Sequence, residues 1–258
     1  MNSLPQNRSN FMGDAKWLEV PWKGRTKSVA DKLMDTFMQG LSILEAAQAI
    51  GDLKTPSSLL ACLAVIDSCW RSDAVMRAIY AELEDSVDGP LFWPELSTLD
   101  NPADDPETGK LFPVAFHFVN FRVARICQLY WAICIILWGG LFHLYQALAI
   151  MEPLSPDDDE CACTTPIHVC PRGFNMADLP PLQDRDVMTA VRNICQSFEY
   201  CIQPANRLLG AASIAFPLQV VVATLREFPG REREIWWCAA SLEVIDRKGF
   251  RILKFSKA

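Results

Sequence analysis

The sequence predicts an all-α protein that folds as a single helical, bundle-like domain around one central apolar helix. Leucine, alanine, isoleucine and methionine recur at spacings of three and four residues along most of the chain, whereas the alternation typical of strands is scarce. About 50% of the 258 residues are hydrophobic, which is enough to bury a sizeable core. We therefore expect helices packed against helices.

Residues 1–27 contain prolines and glycines around two tryptophans, which predicts an extended arm that docks by its aromatic side chains. Residues 28–258 form the predicted helical domain. Its first helix should begin at Ser28, since Asp31 three residues later completes a capping box. The predicted buried stripe of this helix consists of Val29, Leu33, Phe37, Leu41 and Leu44.

A second helix should begin at Pro56, because Thr55 is a good N-cap and proline is favoured at the first helical position. It is predicted to run to Leu83, with a break near Ser72 as an open alternative. Its predicted apolar face consists of Leu59, Leu63, Ile66 and Trp70. Three further helices are predicted over residues 185–203, 217–228 and 231–248.

Two polar segments are predicted to be surface loops, an acidic one over residues 85–113 and a proline- and cysteine-rich one over residues 152–183. Between them, residues 116–151 are the most apolar segment and predict the central helix. Their uninterrupted apolar portion, residues 129–142, is shorter than the roughly 20 residues that a bilayer span needs. We therefore expect a buried helix in a soluble protein with no membrane partner.

The net charge and the N-terminal sequence limit the classes of function that this protein can have. The formal net charge of -7 argues against direct binding to nucleic acid, which needs clustered lysine and arginine. The N-terminus has no apolar stretch after its charges, so it predicts neither a secretory signal nor a transit peptide. We expect an intracellular protein of the cytoplasm or nucleus, whose helical cysteines are reduced, buried thiols.

One short segment offers four soft metal ligands, Cys161, Cys163, His168 and Cys170. Their number invites a zinc site, but the spacing departs from the common zinc designs and no second C-x-x-C pair follows. The sequence also shows no glycine-rich phosphate loop, no nucleophile elbow and no metal-binding His-Glu helix motif. We expect no metal and no cofactor.

The helix predicted over residues 185–203 carries polar groups that could serve a site. Arg192, Gln196 and Glu199 follow at intervals of four and three residues, which places them on one face. If this face turns inward, Arg192 and Glu199 must pair with each other or with a ligand, since an unpaired buried charge is costly. A buried network that ties this helix to its neighbours is the open alternative.

The central helix predicts the walls of a cavity between helices. If chemistry occurs there, the predicted catalytic residues are His143 or Glu199 as the proton carrier and Arg192 as an activating group. The side chains predicted to contact a ligand are Tyr130, Trp131, Trp138, Phe142, Tyr145, Gln196 and Tyr200. Core packing is the alternative interpretation for the aromatic side chains and for His143.

Three C-terminal segments carry a family resemblance. They are VRNICQSFEYC (Val191–Cys201), FPLQVVVATLREFP (Phe216–Pro229) and REREIWWCAASLEVIDRKG (Arg231–Gly249). They resemble the C-terminal part of the regulatory domain of fungal-specific, binuclear-zinc-cluster transcription factors. WLEVPWKGRTKSVADKLMD and RICQLYWAICIILW are similar to earlier parts of the same region.

The resemblance covers nearly the whole chain and implies a helical fold with a small-molecule cavity. Members of this family carry an N-terminal zinc-cluster DNA-binding domain and a dimerising linker. The sequence, which begins at Met1, shows neither of them. We therefore expect the helical body of such a regulator without its DNA-binding module.

Three functions follow as expectations. The first is a stand-alone regulatory or small-molecule-binding protein of fungal secondary metabolism, which works through a protein partner or as a homodimer. The second is a repurposed cofactor-independent biosynthetic enzyme, namely a cyclase, a Diels-Alderase-type pericyclase or an isomerase, whose chemistry needs mainly shape, exclusion of water and one or two hydrogen-bond donors. In both, the expected ligand is a small apolar natural-product-like molecule. A degenerate paralogue or fragment is the third.

Overall fold

The computed structural model of the chain describes residues 15–249 apart from 52, 54, 152–173, 183 and 184. This part of the chain is mostly helical, at 69% helix, and adds one two-stranded sheet. The helices are α1 (Ala15–Glu19), α2 (Val29–Gln48), α3 (Pro56–Asp85), α4 (Phe121–Ala149), α5 (Val187–Ile202), α6 (Arg207–Leu225) and α7 (Glu232–Arg247). The strands are β1 (Phe92–Leu96) and β2 (Val114–Phe118). The predominance of helices agrees with the predicted class, whereas the sheet was not predicted.

The contacts within the chain divide it into two compact units. Unit 1 takes residues up to 78 together with 137–185, and unit 2 takes residues 79–136 together with those from 186 onward. Helices α3 and α4 each contribute one end to each unit. This division was not predicted from the sequence.

The predicted starts of the first two long helices are confirmed. The Asp31 backbone N–H donates to Ser28 Oγ at 3.4 Å and the Ser28 N–H donates to Asp31 Oδ2 at 3.0 Å, which completes the capping box of α2. Ahead of α3, the Ser58 N–H donates to Thr55 Oγ1 at 3.1 Å. Helix α3 then continues to Asp85 without the break that the sequence left open.

Part of the predicted arm is helical. Helix α1 is followed by a 3-10 turn over Val20–Trp22. Trp17 is 53% exposed, whereas Trp22 is half-buried and has the Lys27 ammonium 5.8 Å from its ring centroid. Within the described residues, Trp22 is therefore the better buried of the two aromatic side chains expected to dock.

Unit 1 is built around one buried cluster from α3 and α4. Its members are Leu59, Cys62, Val65, Ile66, Cys69, Leu137, Leu141 and Leu148. The apolar face predicted for α3 is confirmed, since Leu59 and Ile66 belong to this cluster while Leu63 and Trp70 pack against it.

The stripe predicted for α2 is correct at its start and wrong at its end. Val29 and Leu33 are buried, but Leu44 is 42% exposed. Ile43 and Ala47 pack against the unit 1 cluster instead. The buried face is thus shifted by one residue at this end, because three successive steps of four residues drift around a helix of 3.6 residues per turn, and the final step of three does not fully correct the drift.

Unit 2 contains the antiparallel hairpin of β1 and β2, in which Phe92 lies opposite Phe118. Three phenylalanine rings of the hairpin surround the Trp131 ring of α4, with centroid separations of 5.5 Å for Phe92, 6.2 Å for Phe116 and 6.3 Å for Phe118. The N-terminal half of α4 is therefore covered by a sheet and not only by helices.

The hairpin overturns two predictions. Residues 85–113 are not a loop throughout, because they contain β1, and the central helix begins at Phe121 instead of residue 116. The short alternating run VAFHF merges in the sequence with the apolar run of α4, so its period of two is not seen. Asn120 marks the true boundary, since its side chain accepts the Val123 N–H at 3.0 Å and caps α4.

The segment between the strands is also less exposed than a solvated connector. Asn101 and Ala103 are buried, and the Asn101 side-chain amide lies 3.3 Å from both the Trp237 carbonyl and Ser241 Oγ on α7. The Arg233 Nε–H donates to the Ala103 carbonyl at 2.9 Å. The segment is thus bound to α7 by hydrogen bonds.

The three C-terminal helices are confirmed in number, and one boundary is wrong. Helices α5 and α7 lie within one or two residues of their predicted limits, and Gly249 follows α7 with a φ of +103°. Helix α6, however, begins at Arg207, so Pro217 lies inside it and not at its start. Proline is common at the first turn but it also occurs inside helices at the cost of one backbone hydrogen bond, which the sequence signal does not distinguish.

Two described helices, Phe121–Ala149 and Pro204–Leu225, are long and apolar enough to cross a membrane by length and composition. Their most apolar windows have mean hydropathies of 1.6 and 2.0, and 39% and 50% of those windows are buried. Core helices of water-soluble proteins have the same character, so solubility and an intracellular location remain predictions.

Candidate functional site

Four side chains of unit 1 combine aromatic rings with one carboxylate. Trp70 and Asp73 come from α3, and Trp138 and Tyr145 come from α4. The Trp138 indole N–H donates to Asp73 Oδ1 at 2.9 Å, and the Trp70 indole N–H donates to the Tyr145 hydroxyl at 3.0 Å. Each helix thus holds an aromatic side chain of the other, and we call these four residues the aromatic site.

The aromatic site binds a segment of the same chain, residues 174–182. The Tyr145 hydroxyl donates to the Pro180 carbonyl at 2.7 Å. Leu179 and Leu182 are half-buried and pack against the unit 1 cluster, whereas the two prolines between them are exposed. Leucine packing and one hydrogen bond to a carbonyl therefore fix this segment.

A buried ion pair lies just beyond this segment. The Asp73 side chain is 1% exposed, and its Oδ2 lies 2.7 Å from Arg185 Nη2 and 3.1 Å from Arg77 Nε. The Arg185 guanidinium also lies over the Trp70 ring, 5.2 Å from its centroid. Because a buried carboxylate without such partners is strongly destabilising, Arg185 and Arg77 both stabilise the buried Asp73.

Two of the predicted ligand-contacting residues, Trp138 and Tyr145, belong to the aromatic site. Phe142 and His143 lie on the same helix but are exposed, with Phe142 at 44% and its ring centroid 6.2 Å from that of His143. The interpretation of His143 as a buried core residue is therefore wrong. Phe142, four residues after Trp138, lies at the edge of the face that carries Trp138 and Tyr145, whereas His143 is turned away from that face.

Unit 2 contains a small cleft that combines polar and aromatic side chains. Its lining includes the predicted Gln196 and Glu199, together with Ser97, Leu99, Asp104, Phe112, Val114, Ala115, Cys195 and Trp237. The space enclosed by the cleft is about 10 Å³, which is about the room that one water molecule needs. It is far smaller than typical small-molecule pockets.

The carboxylate in this cleft is already hydrogen-bonded at both oxygens. Glu199 Oε2 accepts from Ser97 Oγ at 2.8 Å, and Oε1 accepts from the Thr98 N–H at 3.0 Å. Burial raises the pKa of Glu199, but the hydrogen bonds from Thr98 and Ser97 outweigh it and leave the pKa below the usual value. A carboxylate held in its ionised form in this way is a poor general acid at neutral pH.

The other four predicted site residues of unit 2 do not line the cleft. Arg192 is exposed on α5, so the predicted face does not turn inward as a whole. Trp131 is 5% exposed in the core beneath the hairpin, and Tyr130 stacks on Tyr80 with ring centroids 4.5 Å apart. Tyr200 is 8% exposed and contacts the rings of His117 and Phe118.

The ten predicted site residues are divided between the two units. Trp138, Phe142, His143 and Tyr145 belong to unit 1, and Tyr130, Trp131, Arg192, Gln196, Glu199 and Tyr200 belong to unit 2. Within unit 1 the structure joins Trp138 and Tyr145 to Trp70, Asp73 and Arg185, which the sequence analysis did not select. The sequence feature that could have indicated this site is the dipeptide Pro180-Pro181, which is flanked by Leu179 and Leu182 and followed by Arg185.

The seven helical cysteines are free and buried, as predicted. Burial raises the pKa of Cys62 and Cys69 to about 11 and the pKa of Cys127 and Cys201 to about 12. They are therefore neutral packing groups at physiological pH. Among the described residues, no group of three or more histidine, cysteine or acidic side chains is placed to hold a metal, and the Cys161–Cys170 run lies outside those residues.

Glu199→Ala should destabilise unit 2 by about 1–3 kcal/mol, because Ser97 and Thr98 lose their acceptor. Since the pKa of Glu199 is lowered by folding, its contribution is fully present above the unfolded-state pKa of about 4.5 and is lost as the pH falls through the lower folded-state pKa. Urea unfolding at pH 7 and at acidic pH measures both effects. Glu243→Ala, which removes an exposed carboxylate from α7, should change stability little, and an equal loss in both variants would contradict the assignment.

The chain was compared with protein-family models, with curated proteins and with solved structures, and none of the three comparisons finds a match.

Proposed function

We propose that this chain is a helical regulatory protein that acts by binding a segment of a protein partner, without direct contact to DNA. One observation carries the proposal, namely that unit 1 holds residues 174–182 of the chain itself. Leu179 and Leu182 pack against its buried cluster, and Tyr145 of the aromatic site donates to the Pro180 carbonyl. Aromatic sites that donate to backbone carbonyls are a recurring way of recognising extended peptides.

The electrostatics and the sequence support the same proposal. The formal net charge of -7 disfavours a nucleic-acid interface. The resemblance of Val191–Cys201 and the two following segments to fungal zinc-cluster regulators favours a role in gene regulation, and a small apolar metabolite remains a candidate ligand of such a body. Fungal secondary metabolism is the setting that we propose for it.

The enzymatic alternative has weaker support. Of its proposed catalytic residues, Glu199 is saturated by hydrogen bonds from Ser97 and Thr98, and Arg192 and His143 are exposed. The cleft beside Glu199 is small for a flexible apolar substrate. A cyclase or pericyclase needs a cavity that encloses its substrate, so binding of a partner accounts better for the side chains that are in place.

A reporter assay tests the proposal. The full chain is fused to a heterologous DNA-binding domain in a fungal host, and we expect it to change transcription of a reporter that carries the matching operator. Trp70→Ala should lose this effect, whereas Glu243→Ala, an exposed substitution on α7, should keep it. A well-expressed fusion that leaves the reporter unchanged contradicts regulation by this chain.

The enzymatic alternative has its own readout. The purified chain is incubated with fungal extracts, and converted compounds are sought by mass spectrometry. Conversion that stops in Glu199→Gln, a variant of similar shape, would favour the enzyme. We expect no such conversion.

A further inference from the structure

The Leu-Pro-Pro-Leu run of the bound segment begins with the backbone angles of a polyproline II helix. Leu179 has φ of -80° and ψ of 145°, which are the angles of that conformation. Pro180 and Pro181 follow, and their rings restrict φ to similar values. With three residues per turn, Leu179 and Leu182 fall on the same side, as their shared burial requires.

The hydrogen bond from Tyr145 suits a segment of this kind. A polyproline II helix has no internal hydrogen bonds, so its carbonyls need outside donors. Burial raises the pKa of Tyr145, with the hydrogen bond from Trp70 opposing this effect, so the hydroxyl stays protonated and can donate at neutral pH. The Trp70 indole N–H occupies one lone pair of the hydroxyl and directs its proton toward the Pro180 carbonyl.

The ion pair between Asp73 and Arg185 favours one chain direction for the bound segment and marks its C-terminal end. Asp73 is fully buried at one end of the aromatic site and pairs with Arg185, three residues after Leu182. The same guanidinium lies over the Trp70 ring. A segment bound in the reverse direction would not place its arginine at Asp73, so this buried carboxylate would lose the closer of its two cations, Arg185 at 2.7 Å, and keep Arg77 at 3.1 Å.

We infer that the aromatic site is a docking site for a proline-containing segment of a partner protein, and that residues 179–182 and Arg185 of the chain occupy it in cis as a competitor. The partner segment would carry Leu-Pro-Pro-Leu with an arginine three residues later. This inference rests on the proposed function and specifies the partner. It makes the bound segment an internal regulator, since a partner must displace it.

Competition between the tethered segment and a free peptide determines the affinity expected for the peptide. A tethered segment acts at a high effective concentration, so a free peptide of the same sequence should bind the intact chain weakly. Weakening the tethered segment should raise the apparent affinity of the free peptide, because the fraction of molecules with an open site increases. This dependence separates a real docking site from nonspecific adsorption.

The test uses a fluorescein-labelled peptide of sequence Asp-Leu-Pro-Pro-Leu-Gln-Asp-Arg, copied from residues 178–185, and the full chain. Fluorescence anisotropy should show that Leu179→Ala/Leu182→Ala binds the peptide about tenfold or more tightly than the wild type does. A peptide in which glutamate replaces the arginine should bind about tenfold more weakly, because it places a carboxylate against Asp73.

Two results would overturn the inference. The first is that the wild type and the folded double variant bind the labelled peptide with equal affinity, or that neither binds it. The second is that the double variant binds the arginine and glutamate peptides with equal affinity. If the double variant does not fold, the same titration on Leu182→Ala decides, since it truncates a single half-buried side chain. Arg185→Ala gives an independent readout, because the arginine peptide should raise its melting temperature and the glutamate peptide should not.

The outcomes separate this inference from the proposed function. Peptide binding without a reporter response would support the docking site and contradict gene regulation. A reporter response without peptide binding would support regulation and contradict the docking site.

Discussion

Replacing Gly210 with alanine is expected to prevent unit 2 from folding or to destabilise it by more than about 4 kcal/mol, a range that only exceptional point mutations reach. A Cβ atom at this position in α6 would overlap the carbonyl oxygen of Cys201 and lie 2.9 Å from its carbonyl carbon and 2.8 Å from Asn206 Cβ. Two of these three atoms are backbone at the end of α5 and cannot move without shifting that helix. Circular dichroism during thermal unfolding measures the loss.

Gly139→Ala is the matched control. Gly139 lies inside α4, and an added Cβ would have nothing within 4 Å. Because alanine is a better helix former than glycine, this change should be neutral or stabilise the protein by up to about 1 kcal/mol. If Gly210→Ala melts close to the wild type, the tight approach of α5 and α6 is not present.

Asp73→Ala is expected to destabilise unit 1 by about 3–5 kcal/mol, the usual cost of breaking a buried ion pair from one side. It leaves Arg185 without its carboxylate and the Trp138 indole without its acceptor. The bound segment should be held less tightly as well, because the ion pair of Arg185 with Asp73 that follows it is lost while Tyr145 still donates to the Pro180 carbonyl. Thermal and urea unfolding give the stability, and limited proteolysis gives the exposure of the segment.

Asp67→Ala provides the comparison on the same helix. Its carboxylate is 64% exposed and pairs with Arg71, four residues away. Such exposed pairs contribute about 0–1 kcal/mol, so the two substitutions should differ by several kcal/mol. Similar stability of the two variants would show that Asp73 is not buried in the manner described.

The helix starts could be predicted because each depends on a few adjacent residues. Ser28 with Asp31 and Thr55 with Pro56 satisfy the first free N–H groups locally, and no distant contact is needed to recognise them. The hairpin could not be recognised in this way. Its strands pair across a separation of about twenty residues, and the burial of Phe92, Phe116 and Phe118 depends on Trp131 of α4.

The site was predicted in part for a similar reason. Trp138 and Tyr145 stand out as aromatic side chains on an apolar helix, so their sequence alone suggests a binding wall. Asp73 and Arg185 are 112 residues apart, and only the folded chain shows that they meet. Glu199 was selected for its charge. The groups that donate hydrogen bonds to its carboxylate, the Ser97 hydroxyl and the Thr98 N–H, belong to a segment whose position the sequence does not indicate.

The central claim is that residues 174–182 are held as a ligand by the aromatic site, and hydrogen–deuterium exchange measures this most directly. The peptic fragment that covers this segment should exchange faster in Tyr145→Phe, which removes the donor to the Pro180 carbonyl, and faster still in Asp73→Asn. Glu199→Gln in unit 2 should leave the same fragment unchanged. Identical exchange of this fragment in the wild type, Tyr145→Phe and Asp73→Asn would contradict the claim.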